Sequence, residues 1–148
     1  MANKTMGEAE GYILRIAKKE WIEKVFNSAM YYTSSPRKWQ AGQIVLFLAK
    51  TGVGDSFIGY GVIGNVYAKE ELSEEERMEC EAFGWRKALE FRYIVRFEKP
   101  LALKETFLKD SKLRGKFLHG LHLKMEQVNS IISQAEGKIL NLHQKGCM

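Results

Sequence analysis

The segment Tyr31-Tyr32-Thr33-Ser34-Ser35-Pro36-Arg37-Lys38-Trp39 brings three aromatics, three hydroxyls and two cations into nine residues. It follows neither a helical nor a strand period. These residue types suit the binding of a nucleotide. Tyr31, Tyr32 and Trp39 offer faces for a base, Ser34 and Ser35 offer donors and acceptors for its edge, and Arg37 and Lys38 can hold the adjoining phosphates. A second cluster, Phe83-Gly84-Trp85-Arg86-Lys87, repeats the combination, with Trp85 as platform and Arg86 as cation. Tyr60 lies between Gly59 and Gly61, where small neighbours leave room for a ligand. The candidate base-binding residues are therefore Tyr31, Tyr32, Ser34, Ser35, Arg37, Lys38, Trp39, Tyr60, Trp85 and Arg86.

Other chemistry is thin. His119 and His122 have an H-x-x-H spacing, but no carboxylate or cysteine lies at a useful distance to complete a metal site. On a basic segment they suit solvent or phosphate. Cys80 sits among glutamates, which oppose thiolate formation. The spacing G-x-G-x-x-G occurs from Gly59 to Gly64, yet Asn65-Val66-Tyr67 continues a strand where a dinucleotide site needs a helix to begin. No cofactor, no metal and no catalytic group is expected.

The chain has 148 residues and a net charge of +5. Residues 70 to 81 are strongly acidic, whereas 109 to 124 carry Lys109, Lys112, Arg114, Lys116 and Lys124 against Asp110. Charge segregated in this way suggests a polarised surface, with Lys109, Lys112, Arg114 and Lys116 on the phosphate-facing side. The longest apolar run, Ile44 to Ala49, is too short to span a bilayer, and the N-terminus lacks an apolar leader. A cytoplasmic protein with no membrane partner is the expectation. Two cysteines do not make a disulfide framework.

The elements that must position these residues follow from periodicity. Residues 11 to 17 read as a first strand, and Trp21, Ile22, Val25, Phe26 and Ala29 mark an amphipathic helix over 18 to 29. Ile44 to Lys50 and Phe57 to Tyr67 form a hairpin across a glycine-rich turn, and three glycines in the returning strand predict curvature, bulges or close backbone approach. Ser73 to Glu76 is a capping box for a helix that stops at Gly84. Residues 90 to 100 alternate, which predicts Phe91, Tyr93, Val95 and Phe97 inward and a strand ended by Pro100. Met125, Val128, Ile131, Ile132 and Ala135 predict a last helix ending near Gly137, followed by a tail, 138 to 148, without a clear role. No repeat or linker divides the chain, so a single domain is expected.

This order of elements, with W-x-x-G-x-x-V-L-F from Trp39 to Phe47, GYGVIGNVY from Gly59 to Tyr67 and RYIVRFEKPLAL from Arg92 to Leu103, resembles the EVE domains of the PUA-like superfamily and related small archaeal proteins. The resemblance covers roughly residues 10 to 136. It implies an α+β fold, a mixed pseudo-β-barrel of about five or six strands with flanking helices. It also implies a cleft that binds DNA or RNA through a modified or flipped base. The ASCH group of the same superfamily suggests an alternative, a hydrolase of acylated or modified nucleosides using Lys50 or Lys38 with Glu90. A protein-interaction module without nucleic acid is the third possibility.

Overall fold

The computed structural model describes residues 10–35, 37–111 and 118–147, with side chains as far as residue 137. Six strands form one mixed sheet. They are β1 (Gly11–Arg15), β2 (Met30–Thr33), β3 (Ile44–Thr51), β4 (Gly54–Ala68), β5 (Lys87–Ala102) and β6 (His122–Leu123). Among the described residues three α-helices accompany them: α1 (Lys19–Ser28), α2 (Glu74–Phe83) and α3 (Met125–Cys147). The strand order is β2-β5-β4-β3-β1-β6, and only β1 and β3 run parallel. The α+β class and mixed sheet agree with the sequence expectation.

The two central strands are long and irregular. Pairing of β4 with β5 slips between Phe57 and Gly59, between Val62 and Ile63, and between Ile63 and Asn65. Each slip bends the strand and increases its twist. The glycines permit close approach: a Cβ at Gly61 would stand 2.7 Å from the Phe91 ring, and one at Gly59 would meet the Val95 carbonyl and the Phe26 ring. The pleat of β3 then feeds two cores. Leu46 and Leu48 join Ile13, Phe57, Leu101, Val128 and Ile131 beneath α3. Val45 and Phe47 join Leu14, Val25, Trp39, Leu89 and Phe91 beneath α1.

Capping explains the ends of the shorter helices. Ser73 Oγ accepts from the Glu76 amide at 3.2 Å, and Gly84, at φ 76°, closes α2 as foreseen. Ala29 ends α1 at φ 58° although it carries a Cβ; its amide donates to the Val25 carbonyl, and its own carbonyl accepts from Phe91. That second bond ties the turn to β5, offsetting the strain of the left-handed residue.

Four expectations are corrected. Met30–Thr33 is a strand, so the opening segment begins inside the sheet, paired with Lys87–Glu90. β5 runs through Pro100 to Ala102, because the exposed proline does not interrupt the Leu101–Phe57 pairing. Its bulged partner also breaks the simple alternation: Tyr93 is 50% exposed, and Phe91 and Phe97 enter different cores. Finally, α3 continues past Gly137 to Cys147.

Candidate nucleic-acid interface

β2 and β6 are the two edges of the sheet, at opposite ends of the strand order and not paired with each other. Ser34, just after β2, and His119, just before β6, nevertheless line one cleft. The sheet is therefore curled until its edges face each other, and the cleft occupies the unclosed seam. Its larger compartment has a volume of about 650 Å³, walled by Tyr12, Ser34, Ser35, Arg37, Lys38 and the His119–Gly120 turn. A second compartment, about 320 Å³, shares Ser34 and His119 and extends along Arg15, Trp21, Tyr31, Tyr32, Thr33 and Trp85. Both sizes fall within the range of small-molecule and nucleotide pockets.

The 33–38 loop is shaped by its own hydroxyls. Buried Thr33 accepts the Ser35 amide on Oγ1 at 3.0 Å, and Ser35 Oγ accepts the Arg37 amide at 3.3 Å. These short side-chain turns direct Arg37 and Lys38 outward, and both are exposed. The Arg37 guanidinium lies 5.6 Å from the centroid of Tyr12, and a Cβ at Gly120 would stand 3.7 Å from Arg37 Nε. Arg37 thus reaches across the seam to the opposite wall. No carboxylate is among the described residues lining this larger compartment.

Trp39 corrects the sequence expectation that it is a stacking platform. It is 5% exposed, packs in the core beneath α1 and presses against Tyr12 with a centroid separation of 4.9 Å. Its Nε1 has no hydrogen-bond partner among the described residues. Its role is to support the wall from behind. Trp21, on the apolar face of its helix, packs against the core beneath α1 and also lines the second compartment, with its ring edge-on to Trp85 at 6.0 Å.

Trp85 does line the cleft, and its ring is already engaged. Tyr32 and Phe83 lie nearly parallel to it, at 5.4 and 4.6 Å between centroids. Tyr32 donates its hydroxyl to Glu76 at 2.7 Å, tying β2 to α2. Burial, reinforced by that carboxylate, raises the Tyr32 pKa, while burial alone pushes Tyr31 up to about 12. The phenols accordingly act as neutral groups. Lys18 and Lys24 sit 4.9 and 5.4 Å over the Trp21 and Tyr32 rings, adding cations to the aromatic end.

Wall residues that sequence reading did not single out include Tyr12, Arg15, Trp21 and Gly120. Arg15 is held to Asp55 at 3.1 Å, so much of its charge is neutralised; Arg37 and Lys38 are the cations among the described residues lining the larger compartment. His122, of the H-x-x-H pair, instead meets Glu10 at 2.8 Å and packs on Tyr12.

Other candidates lie elsewhere. Tyr60 packs against Phe97 in the core beneath α3 and lines neither compartment, which corrects its assignment to the base site. Arg86 is exposed beside the cleft and contributes its backbone, with its amide donating to the Thr33 carbonyl at 3.0 Å. Lys109 lines a separate hollow with Val53, Lys104 and Leu108. Lys112, Arg114 and Lys116 lie outside the described residues. The pair Lys50 and Glu90 is not assembled: Lys50 is opposite Asp55 at one end of β4, and Glu90 is opposite Asn65, ten residues further along it. Glu90 is bonded to Asn65 and Tyr67, which lower its pKa, and it lines neither compartment that holds Lys38 or Trp85. Cys80 is buried, and desolvation followed by Glu76 raises its pKa, as the glutamate-rich helix implied. Among the described residues, no group of three His, Cys, Asp or Glu side chains is placed to hold a metal, and no helix is long and apolar enough to cross a membrane.

Comparison with solved structures bears on the fold. ASCH from Zymomonas mobilis superposes with a TM-score of 0.60 at 14% identity, covering 83% of this chain and 94% of that one. A variant of the same protein with tyrosine replaced by phenylalanine gives 0.54 at 15% identity, over 83% and 96% of the two chains. The Pho92 YTH domain in complex with m6A gives 0.52 at 14% identity, over 84% and 81%. The chain has the PUA-like fold. The likeness is to ASCH and YTH structures. No protein-family model matches the sequence, and no curated protein matches it.

Proposed function

We propose that this protein binds single-stranded nucleic acid at the seam, with one unpaired base in the aromatic compartment and its flanking phosphates in the basic one. The carrying observation is the junction itself. A hydroxyl- and cation-lined compartment shares Ser34 and His119 with an adjacent one walled by Trp21, Tyr31, Tyr32 and Trp85. A nucleotide has the same division between an anionic end and a flat, polar-edged end. Stacking against aromatic rings contributes about 1–3 kcal/mol per base, and a base can enter such a pocket only when it is unpaired. The Pho92 YTH domain, which shares the fold, holds m6A, and this supports a base, modified or not, as the occupant.

The test is fluorescence anisotropy with a twelve-nucleotide single-stranded RNA and the same sequence as a duplex, at several salt concentrations. The single strand should bind more tightly. The double variant Arg37→Ala/Lys38→Ala should weaken binding and flatten its logarithmic salt slope by about 1.4, two contacts at about 0.7 each. Equal affinity for the duplex, or an unchanged slope in the folded double variant, contradicts the assignment.

A further inference from the structure

We infer that His119 is a specificity-determining residue: its Nε2–H is a fixed donor that reads a hydrogen-bond acceptor on the bound base rather than a phosphate. This rests on the nucleic-acid reading of the cleft and deepens it.

The argument begins with the edge of β1. Alternate backbone groups of a strand point to opposite neighbours. The Ile16 amide, just beyond β1, donates to Leu48 of β3, whereas the odd-numbered amides turn toward β6. There Ile13 donates to the Leu121 carbonyl at 2.9 Å, and Gly120 donates to the Ile13 carbonyl at 2.6 Å. One step further along, the Arg15 amide finds no backbone carbonyl. It donates to His119 Nδ1 at 3.0 Å, so the imidazole takes the place of the next ladder residue. Gly120, at φ 82°, turns the chain so that the ring can do this.

A nitrogen that accepts a hydrogen bond carries no proton, so the neutral ring must bear its proton on Nε2. With Nδ1 turned to the strand, Nε2 lies on the side of the ring away from it. His119 lines both compartments, at the point where base and phosphate portions of a ligand would meet. The charged groups around it are Arg15 on β1, with its partner Asp55 on β4, and Arg37 and Lys38 of the facing loop. Although the residue as a whole is exposed, partial desolvation of the ring, with the nearby Arg15 charge, holds its pKa below the usual histidine value. The Arg15 amide bond to Nδ1, which a proton there would break, favours the same neutral form. At neutral pH it is therefore an uncharged donor, suited to a carbonyl oxygen or ring nitrogen. The phosphates are left to Arg37 and Lys38.

Two substitutions separate the halves of the ring. Asparagine places an acceptor near the Nδ1 position and removes the distal donor; glutamine places a donor near Nε2 and removes the cap on Arg15. Binding to single-stranded heptanucleotides of A, C, G and U would be measured by anisotropy for wild type, His119→Asn and His119→Gln, alongside melting temperature. H119N should melt close to wild type, lose about fivefold to tenfold in affinity for the best-bound homopolymer, and keep the salt slope. H119Q should melt lower yet bind per folded molecule within about twofold of wild type. Equal weakening of all four oligomers by H119N with a reduced salt slope would make His119 a phosphate contact and overturn the inference. Unchanged binding by H119N would overturn it as well. If the wild type binds none of the four, the nucleic-acid reading itself fails, and this inference with it.

Discussion

Trp39 and Trp85 carry similar signals in the sequence, each beside cations and near a turn, and the fold gives them different work. Trp39 is sealed in the core behind Tyr12, so Trp39→Ala should destabilise the protein by about 3–5 kcal/mol in urea denaturation. A loss below about 1 kcal/mol would contradict its structural role. Trp85 is half-buried and stacked on Tyr32 and Phe83, which makes it a support of the aromatic wall; Trp85→Ala should lower both melting temperature and affinity. Binding that is undiminished per folded molecule would remove Trp85 from the site. His119 has a pH signature. Its folded pKa is lowered from 6.5, so the unfolded chain takes up the proton first as pH falls. Its contribution to stability is full above 6.5 and lost as the pH drops from there through the folded value. The stability gap between wild type and His119→Gln should therefore narrow as the pH is lowered through that window, and a constant gap would contradict the cap on Arg15. Among residues, Ser34, Ser35, Arg37 and Lys38 were legible because local chemistry marked them. Tyr12, Arg15 and Trp21 were not, because each looks like ordinary strand or helix material until the seam brings them together.

At the scale of elements, the glycines of β4 were readable and β2 was not. Gly59, Gly61 and Gly64 signalled bulges and close approach, and β4 and β5 do slip in register there. Gly61→Ala should cost about 1–3 kcal/mol, since the new Cβ would stand 2.7 Å from the buried Phe91 ring. Gly52→Ala, with nothing within 4 Å of its Cβ, should be neutral or stabilising by up to about 1 kcal/mol. Equal effects at the two positions, measured by chemical denaturation, would contradict the packing account. β2 is only four residues long and carries tyrosines on both faces, because one face packs on the core and the other on Trp85. Two buried sides leave no alternation to read. The capping box of α2 was visible because a cap is a local bargain between Ser73 and Glu76.

For the whole molecule, the decisive feature is a sheet curled until β2 and β6 face each other without pairing. Unpaired edges usually invite foreign strands, and here Arg37, from the loop after β2, approaches Tyr12 and the Gly120 turn across a cleft instead. That convergence joins residues 12 to 39 with 85 and with 119 to 120, a long-range arrangement that no local pattern encodes. The most direct measurement is chemical-shift mapping of the ¹⁵N-labelled protein during titration with single-stranded RNA. Binding at the seam predicts that the largest perturbations fall on Tyr12, Arg15, Ser34, Ser35, Arg37, Lys38, Trp85 and the His119–Gly120 turn, saturating together. Perturbations centred on the hollow at Val53, Lys104 and Lys109, or none at saturating RNA, would contradict it.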